Sequence, residues 1–215
     1  MALSENDLKK SPVRFLVSGW EFYPDALLTP EEIQDSDHYM RYLSIGEMSN
    51  FSSPAAPSPY GCGTYRMTFF LPERKEAYAI ELPEVFSSYT LYLDHDRILQ
   101  LGDPEQRIPL VQNRMVTFYG GKPVTLTIAV SNYDHFYGGI VYPPAFGTML
   151  AVNTSRGIRF AFCLFSCTVT FVCALLSFYF SHRMKQKNAF LFGLICLATV
   201  SYTHLRAHET DQHLV

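Results

Sequence analysis

Residues able to do chemistry gather in three stretches. The first is Asn132–Tyr137, NYDHFY, followed by Gly138 and Gly139. It puts an amide, a carboxylate, an imidazole and aromatic rings into one flexible loop. Aromatic faces beside hydrogen-bonding groups are what recognition of a sugar or another small ligand needs. The plainer reading is a loop that packs its rings against the edge of its own domain. The second stretch is Asp94-His95-Asp96. Three adjacent ligands alternate across a strand and cannot converge on a metal without a turn. They stand between LYL and RIL, where a tight hairpin turn is expected, and Asp and His tolerate left-handed backbone there. The third is Tyr60–Arg66, YGCGTYR. Its glycines permit a sharp turn, after which Tyr65 and Arg66 point to opposite faces of a strand, one to the core and one toward a groove.

Catalytic signatures are missing from the sequence. No Ser-His-Asp order, nucleophile elbow, HExxH, P-loop or dinucleotide fingerprint occurs. The acidic pairs Glu31/Glu32 and Glu73/Glu76 lie in helix-start or loop contexts, not at strand ends where glycosidase carboxylates would be wanted. His204 and His208 imitate a metal pair at helical spacing, but His213 would fall on the opposite side of the same helix. We expect no enzyme activity, no metal and no cofactor in this chain.

The elements that must position these residues read mainly as strands. Arg14–Val17, Thr64–Leu71, Ala77–Leu82, Tyr89–Leu93, Arg97–Leu101, Met115–Tyr119, Val124–Asn132 and Gly147–Val152 are short, rich in β-branched or aromatic residues, and bounded by Pro, Gly, Asp or Asn. Such spacing predicts an all-β antiparallel sandwich of the jelly-roll type. Trp20–Pro24 forms an aromatic cluster around the single Trp of the chain. Thr29-Pro30-Glu31-Glu32 has an N-cap, a Pro at the first helical position and an acid at the third, predicting a helix of one or two turns. Residues 1–12 read as a leader, and Ser49–Tyr60 as a loop rich in Pro, Ser and Ala.

Phe160–Phe180 is free of formal charge. As a helix it measures roughly 30 Å, the thickness of a bilayer's hydrocarbon core. Residues 1–155 carry 18 acidic and 11 basic side chains, and residues 156–215 carry 2 and 6. That acidic bulk argues against nucleic acid as partner. Arg183, Lys185 and Lys187 follow the apolar run, against Arg156 and Arg159 before it. The positive-inside rule then puts the N-terminal domain outside the cell membrane. Cys163, Ser166, Cys167, Thr170, Cys173, Ala174 and Ser177 recur at helical spacing, a small-residue face suited to a second helix. Ala189–Tyr202 begins such a helix but is too short to cross. The string SYTHLRAHET within Ser201–Val215 resembles translated sequencing-adapter sequence, so 203–215 is expected to be foreign.

GWEFYPDALLTPEE, YGCGTYRMTFFLP, LYLDHDRILQLGDP, PVTLTIAVSNYDHFYGGI and FGTML together resemble the extracellular region of bacterial seven-transmembrane receptors with diverse intracellular signalling modules. The strand motifs alone also resemble galactose-binding-like jelly rolls, whose hairpin turn commonly carries Asn-Gly where this chain has Asp94-His95-Asp96. The resemblance implies a jelly-roll sensor outside, a bundle of helices and a cytoplasmic output domain. The expected organisation is a leader (1–12), a sensor sandwich (13–155), a first transmembrane helix (160–180), a cytoplasmic loop (181–188) and the start of a second helix (189–202). Trp20, Tyr23, Arg66, Asn132, Asp134, His135 and Tyr137 are the expected ligand-facing set, for a small molecule or carbohydrate. Expected partners are the membrane and further transmembrane helices. The alternatives are a tethered carbohydrate- or wall-binding module, a fragment of a membrane-bound glycoside hydrolase, and a domain that positions a receptor homodimer.

Overall fold

In the run VTLTIAVSN, Val124, Leu126, Ile128 and Val130 fall at every second position, and all are buried. A strand with that period presents one face to a core and the other away from it. The computed structural model describes residues 5–35, 37–46, 51, 58–72 and 76–211. The chain forms two compact units, Met1–Val152 and Asn153–Val215.

The first unit is a sandwich of antiparallel sheets. Its strands are β1 (Val13–Phe15), β2 (Trp20–Pro24), β3 (Arg41–Leu43), β4 (Gly61–Phe69), β5 (Tyr78–Leu82), β6 (Ser88–Leu93), β7 (Asp96–Leu101), β8 (Arg114–Phe118), β9 (Val124–Asn132) and β10 (Ala145–Thr148). One sheet runs β1-β10-β5-β8 and the other β3-β2-β4-β9-β6-β7. Tyr65, Met67 and Phe69 of β4 join the core residues of β9, while Thr64, Arg66 and Thr68 take the opposite face. Between the sheets Phe146 stacks on Phe69 at 5.4 Å and on Tyr78 at 5.8 Å.

Helix α1 (Glu5–Lys10) lies within the expected leader; Leu8 joins the core and Arg14 pairs with Asp7 at 3.6 Å. Helix α2 (Pro30–Asp35) starts where Thr29 predicted it. The Thr29 amide donates to Glu32 Oε2 at 2.8 Å, and the Glu32 amide donates to Thr29 Oγ1 at 3.3 Å, a reciprocal capping box. Leu28 and Ile33 then cover Tyr23 on the outer face of the larger sheet. Thr64, fully buried there, accepts from the Leu28 amide and donates to the Ala26 carbonyl. Strand β3 is paired only to β2 and was not expected from its short sequence. The expected strand at Gly147–Val152 stops at Thr148, whose hydroxyl accepts from the Ala151 amide and caps a helix. Most of the expected loop Ser49–Tyr60 lies outside the described residues.

The second unit is a helical hairpin. Helix α3 (Met149–Met184) is long and apolar enough, by length and composition, to cross a membrane. Helix α4 (Lys187–Asp211) follows after Lys185 and Gln186, so helix occupies most of the expected loop 181–188. Its backbone also runs through the expected foreign tail to Asp211, where the side chains from His204 onward lie outside the described residues. Covered residues recur on α3 at Cys163, Cys167, Thr170, Ala174, Ser177 and Ser181, and on α4 at Ala189, Gly193, Cys196, Val200 and Thr203. Steps of three and four on both helices form a close-packed seam. Cys167 Sγ lies 3.2 Å from Thr203 Oγ1, and a Cβ on Gly193 would come within 2.8 Å of the Phe178 ring. Ser166 and Cys173 remain exposed on α3.

Because Phe146 joins both sheets through its ring, Phe146→Ala should lower the unfolding free energy of the sandwich by about 3–5 kcal/mol. Urea unfolding of the full chain followed by Trp20 fluorescence measures this, and a loss of less than about 1 kcal/mol would contradict the packing.

Candidate functional site

Strand β9 ends in Asn132, which is buried at 2% exposure and holds the loop that follows. Its Nδ2 donates to the carbonyls of Pro59 and His135, both at 2.7 Å, and its Oδ1 accepts from the His135 amide at 3.1 Å. A polar side chain that bonds the backbone three residues ahead fixes a local turn. Two glycines complete the clamp. A Cβ on Gly138 would overlap the Pro59 carbonyl, and Gly139 has φ +76° with the Tyr65 hydroxyl where its Cβ would stand.

The clamped loop lifts His135 and Tyr137 against an aromatic partner from a different segment. The His135 ring stacks on Phe86 at 4.7 Å with planes 11° apart. Tyr137 lies 5.6 Å from both of them, and Tyr142 lies 6.2 Å from Phe86. Phe136 stands edge-on to Tyr137 and is 76% exposed. The Tyr137 amide donates to His135 Nδ1 at 3.1 Å. An Nδ1 that accepts leaves the proton of a neutral imidazole on Nε2, as a donor. Asp134 is exposed on the same loop. The result is a shelf of mutually stacked rings with a carboxylate acceptor and an imidazole on the loop that carries it.

On the other side of this loop Tyr133 is gripped by Arg107, whose guanidinium lies 3.9 Å above its ring. The half-buried Cys62 has its thiol pushed up mainly by burial. A separate recess of about 390 Å³ opens between the free edges of β7 and β8, lined by Leu99, Leu101, Arg114 and Val116 among others. Tyr89 stands opposite Leu101 in the ladder, fully buried, its hydroxyl without a hydrogen-bond partner among the described residues. Burial drives that phenol well above its ordinary range.

No protein-family model matches the chain, and no curated protein matches it. Similar solved structures include a β-glucuronidase of Faecalibacterium prausnitzii, at 15% identity and a TM-score of 0.45, covering 64% of this chain and 32% of that one. A glycosyl hydrolase family 2 member of Bacteroides cellulosilyticus matches at 12% identity and a TM-score of 0.49, covering 64% of this chain and 20% of that one. A GH2 β-galacturonidase of Eisenbergiella tayi matches at 13% identity and a TM-score of 0.42, covering 62% and 24%. This chain spans about a third or less of each of them. Likeness at this level assigns neither family nor activity.

The expected ligand-facing set divides among three environments. Asn132, Asp134, His135 and Tyr137 share the loop, with Asn132 as its buried clamp. Arg66 and Tyr23 lie together on the outer face of the larger sheet; Arg66, opposite Thr127, is five strand residues or about 17 Å along β9 from Asn132, and Tyr23, level with Ala129, is three residues or about 10 Å from it. Arg66 pairs with Glu21 at 3.4 Å, and the Tyr23 hydroxyl reaches the same carboxylate oxygen at 3.4 Å. Burial raises the Tyr23 hydroxyl above its usual range, with Arg66 opposing the shift. Trp20 is a correction. It is 0% exposed, edge-on to Tyr65 in the core, with its indole N–H donating to the Leu16 carbonyl at 2.9 Å.

Asp94-His95-Asp96 is a turn. Asp94 has φ +55°, its Oδ1 accepts from the Thr125 amide at 2.8 Å, and His95 reaches away to Glu31 at 2.9 Å. The Glu31 carboxyl is held below the usual range first by its own backbone hydrogen bond and then by His95. Among the described residues no group of His, Cys, Asp and Glu could hold a metal. Sequence reasoning missed Phe86 and Tyr142. Tyr142 stands before Pro143-Pro144, which holds it extended in a loop and offers a usable signal; Phe86 offered none.

Asn132→Ala leaves the Pro59 carbonyl and both His135 backbone groups without their partner. Hydrogen exchange should speed up across residues 133–139, by about ten-fold or more, while β4 and β9 stay protected. Uniform loss of protection, or none, would contradict the clamp.

Proposed function

We propose that the sandwich is a carbohydrate-binding module of the galactose-binding-like jelly-roll type, held outside a cell membrane by α3 and α4. The aromatic shelf of Phe86, His135 and Tyr137 carries this reading. A pyranose has an apolar face of C–H groups and a rim of hydroxyls. A ring at the end of the stack, held in place by its neighbours, offers the first a flat apolar surface with little loss of side-chain freedom. The Asp134 carboxylate accepts from sugar hydroxyls and the His135 Nε2–H donates to them, fixing orientation. The chemistry asked of this chain is recognition without bond making or breaking.

The membrane part rests on the charge-free run of α3 and on the basic residues that follow it. A second reading makes the chain the sensing portion of a larger membrane signalling receptor. It is favoured by Ser166 and Cys173, small residues that α4 leaves uncovered and where another helix could approach closely. In that reading the ligand acts by preferring one packing of the bundle over another.

A glycan panel titrated against the full chain in lipid discs tests recognition. Phe86→Ala and Tyr137→Ala should each weaken binding roughly ten-fold, and Trp20→Phe should leave it unchanged. Binding that survives both shelf variants but is lost in Arg114→Gln would move the site to the recess between β7 and β8. For topology, a membrane-impermeant amine reagent on intact cells should modify Lys122, whose side chain is 75% exposed, and spare Lys185 and Lys187. Modification of Lys122 only after lysis would overturn the outward placement.

A further inference from the structure

We propose that the turn joining α3 to α4 is a binding site for the headgroup of an anionic phospholipid. The proposal rests on the membrane reading of these helices and adds a ligand to it. A recess of about 400 Å³ opens at this turn, lined by Ser181, Lys185, Gln186, Lys187, Phe190 and Leu191. Its lining sorts by chemistry. Lys185 and Lys187 bring ammonium groups, Ser181 and Gln186 bring neutral hydrogen-bonding groups, and Phe190 and Leu191 form an apolar wall.

A phosphodiester matches the first two kinds of group. It carries one negative charge and oxygens that accept from ammonium, hydroxyl and amide donors. The glycerol and first methylenes of a lipid match the apolar wall, which a free phosphate would leave unused. That difference favours the lipid. Lys185 has φ +52° and turns the chain back toward the bilayer, so it stays beside Lys187. Arg183 in the last turn of α3 adds a further positive charge. No Asp or Glu occurs in the sequence between Asp134 and Glu209, so no carboxylate of the hairpin up to that point neutralises these cations. Basic recesses between membrane helices on the cytoplasmic side hold acidic headgroups for this reason, and the positive-inside orientation puts this turn on that side.

The test uses the full chain in discs of phosphatidylcholine with and without phosphatidylglycerol, with retained lipid counted by native mass spectrometry. Phosphatidylglycerol should be retained in preference to phosphatidylcholine. Lys185→Gln and Lys187→Gln should each lower that preference about five-fold, while Lys9→Gln with Lys10→Gln on α1 leaves it intact. Circular dichroism of the same samples checks that the variants keep their helices. Equal retention of both lipids by an inserted chain overturns the proposal alone. Displacement of the lipid by millimolar inorganic phosphate would reassign the recess to free anions and overturn it too. A chain that never enters the discs sinks the membrane reading, and this inference with it.

Discussion

The pairing of β4 with β9 is the constraint on which the sandwich depends. Nine residues of each strand are in register, from Gly61 opposite Asn132 to Phe69 opposite Val124. Tyr65, Met67 and Phe69 meet Ile128, Leu126 and Val124 on the inner face, and Arg66 and Thr68 meet Thr127 and Thr125 on the outer one. A slip of one residue would exchange the faces, exposing the aromatic row and burying an arginine. Both outer strands of the larger sheet, β3 and β7, inherit their position from this central pair through β2 and β6.

The aromatic cluster begins where that ladder ends. Asn132 is the last residue of β9 and also the clamp of the loop, so the register of the sheet sets the starting point of the shelf. Pro59, which accepts from Asn132, stands just before β4, the strand paired with β9. Phe86 arrives from the segment before β6, the other neighbour of β9. Three adjacent strands therefore deliver the clamp, its acceptor and the stacking partner to one end of one sheet. Loops carry the contacts, while the scaffold removes their freedom.

A different force orders the helical hairpin. Both helices carry large apolar residues around much of their surface, so burial of apolar area does not by itself choose which faces meet. Close approach chooses them. The covered positions of α3 and α4 are mostly Cys, Ala, Ser, Thr and Gly, and Gly193 sits where the Phe178 ring leaves no room for a side chain. Polar contact adds to this at Cys167 and Thr203. Phe178 is the bulky residue that shares the seam, packed over Gly193, while others such as Phe162, Phe165 and Val172 remain outside.

Period and turn chemistry made much of this legible beforehand. Alternation in VTLTIAVSN marked β9, the Thr29 cap marked α2, the DHD stretch marked a hairpin turn, and small residues marked the helix seam. What stayed hidden was set by contacts between distant segments. Residues 1–12 look loose until Leu8 finds the core, and Arg41–Leu43 is a strand only because β2 offers an edge. Trp20 and Phe86 show the limit most plainly. Both are aromatic residues in short, irregular-looking stretches, yet one is sealed between sheets and the other is partly exposed as a stacking platform. Local sequence determines which side chains alternate and where the backbone must turn, because those depend on neighbours within a few residues. Which aromatic ends inside and which faces solvent was decided only when the sheets closed, since that depends on the partner strand each ring happens to meet.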